Sequence, residues 1–189
     1  MKNIAIFASG SGTNAENLIR FFRTSTYGRV SLVLSNRKGA GVIDRAQSLD
    51  VETFVFSREQ FYQSEDVLGL LIERDIDFVV LAGFLWLVPD NLLLAFENKM
   101  LNIHPALLPK YGGKGMFGLH VHTAVIENQE LESGITIHRV NKKYDEGSIV
   151  FQARCEVKAE DTPDTLASRI HQLEYEHFPP VVEKFLKEL

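Results

Sequence analysis

Asn102 and His104 stand two positions apart at the end of a short apolar run, Met100 to Ile103. Residues two apart in a strand point to the same face, so both side chains would leave the strand together. An amide can donate to a developing oxyanion, and an imidazole titrates near neutral pH, which suits the pair to acyl-type transfer. Asp145 could orient that imidazole or stabilise its charge. The plainer alternatives are a hydrogen-bonded His at a strand end and an Asp in an ordinary turn.

A glycine-rich turn, Ser9 to Asn14, follows the first apolar run and precedes a helical pattern. Its glycines let backbone N–H groups approach an anion, and a helix N-terminus adds partial positive charge, so the turn predicts a phosphate site. The spacing Gly10-x-Gly12-x-x-Ala15 also matches a dinucleotide fingerprint. However, Ser35 to Lys38 offers no acidic residue for a ribose, which favours a mononucleotide or sugar phosphate over NAD. The alternative is a turn that only reverses the chain, with Thr13 and Asn14 capping the helix.

Four further features of the sequence give less specific signals. His120 and His122 resemble half a metal site, but no nearby ligand completes the set, and we predict no metal. His138 lies on an alternating strand as a core or supporting residue. The apolar stretch Phe84 to Val88 is either ordinary core or a wall for a flat heterocycle. Cys155, the only cysteine, is expected to be a buried, inert thiol.

Short apolar runs alternate with stretches of helical spacing, which predicts an α/β fold with helices on both faces of a parallel sheet. We expect a Rossmann-like open, mostly parallel sheet with an antiparallel C-terminal part, in one domain spanning residues 1–189. The long, glycine-rich loop Ala106 to Gly118 is a candidate functional segment. The predicted strands are Ile4–Ala8, Val30–Leu34, Thr53–Phe56, Phe78–Ala82, Met100–Ile103, Gly134–Val140 and Ser148–Val157. The predicted helices are Ala15–Phe22, Val42–Leu49, Arg58–Arg74, a short one from near Asp90, one from about His122 to Asn128, and a final one capped by Asp161–Asp164.

Composition narrows the class of protein. The 189 residues are 45% hydrophobic, which is typical of a globular chain rather than a disordered one. Twenty basic against 25 acidic residues give a net charge of -5, so no global positive field would hold a nucleic acid. No apolar run is long enough for a signal peptide core or a membrane span. We therefore expect a cytoplasmic protein that acts on small molecules.

The motifs together resemble the phosphoribosylglycinamide formyltransferases, which are folate-dependent enzymes of purine synthesis. The resemblance covers nearly the whole chain, and its most specific part is Asn-Ile-His-Pro followed by Leu-Leu-Pro and a later Asp-x-Gly. The residues that carry it are Ser9–Asn14, Leu81–Phe84, Asn102–Pro109, Gly134–His138 and Asp145–Ile149.

The resemblance implies a function and a set of site residues. The formyl group of 10-formyltetrahydrofolate would pass directly to the amine of glycinamide ribonucleotide, with no covalent enzyme intermediate and no metal. Asn102, His104 and Asp145 would be catalytic, with Asn102 donating to the oxyanion. Gly12, Thr13 and Asn14 would bind the phosphate and Glu174 the substrate. The donor would be held by Leu85, Trp86, Leu87, Val88, Asn141, Asn102 and Asp145, with Arg58 nearby.

Two positions depart from the family pattern. The loop from Lys110 to His120 carries extra residues, Gly112 to Gly118, and Trp86 stands where a basic or smaller residue is familiar. The rival functions are a formyltetrahydrofolate hydrolase, a methionyl-tRNA formyltransferase and an inactive nucleotide-binding module. We expect the first to need an extra N-terminal domain and the second a tRNA-binding extension. The sequence leaves open a monomer or a homodimer.

Overall fold

A computed structural model describes residues 1–189 and contains one seven-stranded sheet in the order β3-β2-β1-β4-β5-β6-β7. Strands β1 to β5 run parallel, and β6 and β7 pair antiparallel at one edge. This confirms the predicted fold class. The strands are β1 (Lys2–Phe7), β2 (Gly28–Ser35), β3 (Glu52–Val55), β4 (Phe78–Ala82), β5 (Met100–His104), β6 (Glu132–Arg139) and β7 (Ile149–Glu156). The helices are α1 (Thr13–Phe22), α2 (Gly41–Ser48), α3 (Arg58–Tyr62), α4 (Asp66–Glu73), α5 (Asp90–Ala95), α6 (Leu119–Glu127) and α7 (Pro163–Lys187).

Apolar residues cover the two faces of the sheet and form two cores. Helices α1, α2, α6 and α7 pack on one face, where Ile6, Val80 and Ile137 belong to a cluster of 26 buried residues. Helices α3, α4 and α5 pack on the other face, over a cluster of 15. Strand β4 is buried along its whole length, as expected for a central strand covered on both sides.

The predicted helix from Arg58 to Arg74 is wrong in its continuity, because the structure has two helices there. Helix α3 ends at Tyr62, and α4 begins at Asp66. The Ser64 hydroxyl donates to the Gln60 carbonyl and accepts from the Asp66 amide N–H, so this side chain substitutes for the interrupted ladder. Apolar spacing continues through the break, which is why periodicity alone predicted one helix.

The remaining helices differ from prediction mainly at their ends. Helix α6 begins at Leu119, three residues before the predicted start near His122. Helix α7 begins with Pro163 after Thr162, whose side chain forms a capping box with Thr165. No helix combines the length and apolar character required to cross a membrane.

Candidate active site

A cleft of about 730 Å³ opens at the carboxyl ends of β1, β4 and β5. Open α/β sheets bind their ligands at this edge. The cleft is lined by the glycine-rich turn, by the segment after β4, by the end of β5 and by the loop that precedes α6. Its volume lies within the range for sites that bury organic ligands.

His104 lies in the cleft with only 3% of its surface exposed. Its Nε2 lies 2.7 Å from the Tyr111 carbonyl oxygen, which can only accept, so Nε2 carries a proton. Its Nδ1 lies 3.5 Å from Asp145 Oδ2. The same carboxylate oxygen accepts a 3.0 Å hydrogen bond from the Gly113 amide. The imidazole is therefore fixed at one nitrogen and faces a carboxylate with the other.

Asn102 is held by the antiparallel strand beside it. Asn102 pairs with His138 in the β5–β6 register, and its Nδ2 lies 2.9 Å from His138 Nε2. His138 Nδ1 lies 2.8 Å from the Arg139 carbonyl oxygen, so Nδ1 donates and Nε2 accepts from the amide. The second Nδ2 hydrogen points to Asp145 Oδ1 at 3.3 Å. Both hydrogens of this amide are engaged, the second one more weakly.

Burial and neighbouring charges act in opposite directions on the pKa of each member of the pair, and both pKa values end below their ordinary range. Burial lowers the pKa of His104, although Asp145 and the Tyr111 carbonyl act in the other direction. Burial acts to raise the pKa of Asp145, but His138, His104 and the Gly113 N–H favour its ionised form, and the net pKa is lowered. At neutral pH the site therefore holds a neutral imidazole beside a carboxylate.

The glycine-rich turn reaches α1 in a conformation that leaves the helix start uncapped. Gly12 is the N-cap residue, with φ 79°, and no side chain caps the first turn. The capping roles considered for Thr13 and Asn14 are thus wrong. A Cβ on Gly12 would collide with Val42, so the turn requires glycine for its backbone and for its packing. The uncapped amides favour an anion at this end of the cleft.

Glu174, on α7, lies beside the turn and is 4% exposed. Its Oε2 accepts from Asn14 Nδ2 at 2.8 Å and lies 2.9 Å from His171 Nδ1. The hydrogen bond to Glu174 raises the pKa of His171. Burial lowers the pKa of His122 to about 4, and its Nδ1 has no hydrogen-bond partner. Glu174, His171 and His122 thus form a polar part of the cleft that the turn and His104 also line.

The segment after β4 forms the apolar wall of the cleft. The Leu85 amide donates to Ser9 Oγ at 3.0 Å, which ties this segment to the glycine-rich turn. Trp86 is half-buried and packs against Phe56, Phe61 and Tyr62. Leu85, Trp86, Leu87 and Val88 line the cleft from this side, and Asn141 also lines the cleft.

The structure brings together all the predicted site residues except one. Arg58 does not line the cleft; its guanidinium lies outside, 5.0 Å from the Tyr62 ring centre and 5.6 Å from that of Trp86. Sequence reasoning missed the contact of Tyr111 with His104 and gave His138 no specific partner. It also missed two further lining residues, Arg37 and His171, whereas Lys114 belongs to the loop predicted to be functional. No group of three or more His, Cys, Asp or Glu side chains is arranged to hold a metal.

Comparison with known proteins gives one family. The sequence profile of the formyl transferase family matches residues 2–182. Phosphoribosylglycinamide formyltransferase of Bacillus subtilis is 31% identical over 98% of this chain and 95% of its own length. The chloroplastic enzyme of that name from Arabidopsis thaliana is 39% identical over 99% of this chain.

The chain spans 66% of the Arabidopsis protein and 62% of a similar one from Vigna unguiculata. A crystal structure of phosphoribosylglycinamide formyltransferase from Bacillus halodurans superposes with a TM-score of 0.87 at 36% identity, covering 98% of this chain and 95% of that one.

Proposed function

The chain belongs to the formyl transferase family, and from that premise we propose that it transfers the formyl group of 10-formyltetrahydrofolate to the amine of glycinamide ribonucleotide. One observation carries the proposal. A single cleft joins the uncapped amides of α1 to Asn102, His104 and Asp145 and to an apolar wall. These parts suit a phosphate, an acyl-transfer centre and a flat heterocycle respectively. The likeness to enzymes of that name supports the same substrates.

The amine loses a proton as it attacks the formyl carbon, and His104 is the group that accepts it. The resting imidazole is neutral at Nδ1, because its Nε2 carries the proton donated to Tyr111. Protonation at Nδ1 creates an imidazolium 3.5 Å from Asp145 Oδ2, whose charge stabilises it. His104 then holds the proton for the departing nitrogen, and no enzyme nucleophile is needed. This makes Asp145 a stabiliser of the charged intermediate state of His104.

Asn102 supplies the hydrogen bond to the oxyanion. Its bond to His138, at 2.9 Å, fixes the plane of the amide. The other Nδ2 hydrogen makes the longer 3.3 Å contact with Asp145 and is the one available when negative charge develops nearby. An oxyanion donor of this kind contributes about 3 to 4 kcal/mol to the transition state.

The wall after β4 fits the heterocycle of the formyl donor, which supplies the one-carbon unit. Leu85, Leu87 and Val88 offer apolar surface, and Trp86 offers an aromatic face. Asn141 provides a polar group on the lining of the same cleft. Arg58 lies outside the cleft and is placed to meet a part of the donor that extends beyond Trp86. At the other end, Gly12, Thr13 and Asn14 hold the phosphate and Glu174 the sugar or amine.

A release assay tests the function. The protein is incubated with 10-formyltetrahydrofolate, with and without glycinamide ribonucleotide, and tetrahydrofolate is measured. Release that depends on the ribonucleotide supports the proposal. Release that ignores it indicates a hydrolase, and no release in either case indicates a nucleotide-binding module without this activity.

The proposal extends to the setting of the reaction. We infer that residues 1–189 act as one catalytic unit on small molecules, without nucleic acid, metal or membrane, as a monomer or homodimer. We propose a cytoplasmic location by likeness to the bacterial relatives. The chloroplastic relatives show that location varies within the family. Sedimentation of the purified chain with and without substrate tests the assembly.

A further inference from the structure

The His104 imidazole donates a hydrogen bond to the carbonyl of a residue, Tyr111, whose backbone has an unfavourable conformation. The Tyr111 carbonyl oxygen accepts from His104 Nε2 at 2.7 Å. Tyr111 has φ 56°, in the left-handed region that a bulky residue rarely occupies. The neighbouring glycines, Gly112 and Gly113, lend this stretch no rigidity. The Gly113 amide is held by Asp145, and a contact on the other side of the carbonyl completes the support of this stretch.

The side chain of Tyr111 provides that contact. Its hydroxyl donates to Glu130 Oε1 at 2.9 Å, and its ring packs against the larger core. Glu130 lies in the turn between α6 and β6, outside the cleft. Its carboxylate also accepts from Lys110 Nζ at 2.8 Å and 3.1 Å. Glu130 is partly buried, while the lysine is 67% exposed.

We propose that Tyr111 and Glu130 are positioning residues that orient the catalytic imidazole from outside the cleft. The inference rests on the proposed function only for the role of His104. The hydrogen bond between Tyr111 and Glu130 sets the direction of the Tyr111 carbonyl. That carbonyl keeps the proton of His104 on Nε2, so Nδ1 carries no proton. The same stretch reaches Asp145 through the Gly113 amide, at 3.0 Å. The segment from Tyr111 to Gly113 thus contacts both His104 and Asp145 and fixes their relative position.

Three variants separate positioning from plain stability. Tyr111→Phe removes only the hydroxyl, Glu130→Ala removes the acceptor, and Glu130→Gln keeps an acceptor oxygen for the tyrosine. We expect the first two to lower kcat about tenfold with KM for both substrates unchanged, because a small displacement of a catalytic group is costly. Glu130→Gln should stay within about threefold of the unaltered protein. The control is Lys110→Met, which removes an exposed ion pair but leaves the tyrosine bond, and we expect kcat within about twofold.

A second readout does not depend on turnover. NMR titration of the His104 ring, assigned with the His104→Gln variant, reports its pKa directly. Asp145, His138 and Glu174 are the other titratable groups that act on it. Because the Tyr111 carbonyl supports the protonated ring, Tyr111→Phe should move the titration to lower pH.

The outcomes are distinct. An unchanged kcat and an unchanged titration in Tyr111→Phe and Glu130→Ala overturn the proposal, as does an equal loss in Lys110→Met. If the unaltered protein shows no formyl transfer, the proposed function fails, and the titration alone then decides whether Tyr111 and Glu130 orient the ring.

Discussion

Replacing Asp145 by asparagine removes a charge while keeping the shape that accepts from the Gly113 amide. Asp145 Oδ2 lies 3.5 Å from His104 Nδ1. At that distance, with an effective dielectric constant near 20, a carboxylate and an imidazolium attract by about 4 to 5 kcal/mol. Each ~1.4 kcal/mol changes a rate tenfold, so the attraction sets an upper limit of about 10³-fold on the loss in turnover. We expect Asp145→Asn to lower kcat by about 10²- to 10³-fold.

The same substitution should move the pH dependence in a defined direction. The proposed active form of His104 is neutral, so kcat should rise with pH as the imidazole loses its proton. Burial already places that transition below the ordinary pKa of histidine. Asp145 raises the pKa of His104, so its loss moves the acid limb to still lower pH. The assay is kcat from pH 4.5 to 9 at saturating substrates.

Glu146→Gln is the matched control, because Glu146 is an exposed carboxylate next in the chain and is paired with Lys143. It should change kcat by less than about twofold. If Asp145→Asn keeps more than a tenth of the turnover, the carboxylate does not stabilise an imidazolium. If kcat of the unaltered protein instead falls with rising pH through the His104 transition, the protonated ring is the active form and our proton route is wrong.

Four further substitutions test other parts of the cleft. Asn102→Ala should lower kcat by about 10²- to 10³-fold with little change in thermal unfolding; near-normal turnover would remove its oxyanion role. His138→Phe leaves the Asn102 amide without its fixed acceptor and should lower kcat about tenfold with unchanged KM, measured beside a melting curve. Glu174→Gln should raise KM for the ribonucleotide and leave KM for the formyl donor unchanged; equal changes in both would place Glu174 elsewhere. Gly12→Ala should destabilise the fold by about 2 to 5 kcal/mol in urea unfolding and weaken ribonucleotide binding, because the left-handed backbone and the collision with Val42 both oppose a Cβ. An unchanged unfolding midpoint would show that the turn relaxes.

Much of the fold could be predicted from local patterns of apolar residues in the sequence. Buried strands such as Phe78–Ala82 are continuous apolar runs, and the residues at their carboxyl ends meet at one edge by geometry. The same rule brings Asn102 and His104 to the edge of the sheet where the glycine-rich turn lies. The division of Arg58 to Arg74 into two helices escaped prediction because the apolar spacing continues through the break, where the Ser64 hydroxyl bonds to backbone groups on both sides.

Contacts within the site were less predictable than the residues themselves. The pairing of Asn102 with His138 depends on the register of β5 with β6, and alternation does not specify register between strands. The support of His104 by Tyr111 is a backbone contact, and backbone carbonyls leave no signature in the residue type. Arg58 was expected near the donor, but its contact with Trp86 joins a helix to a distant segment, and helical spacing does not specify contacts between elements.

Trp86 is the only tryptophan in the chain, and it lies on the wall of the cleft, where it packs against the edge of the smaller core. Its emission therefore reports on one location, and unfolding or assembly elsewhere leaves no second indole to confuse the signal. Quenching on addition of a folate would measure occupancy of that wall at equilibrium, without turnover. The fluorescence of Trp86 therefore reports on the apolar wall after β4, at the opposite end of the cleft from the proposed phosphate site.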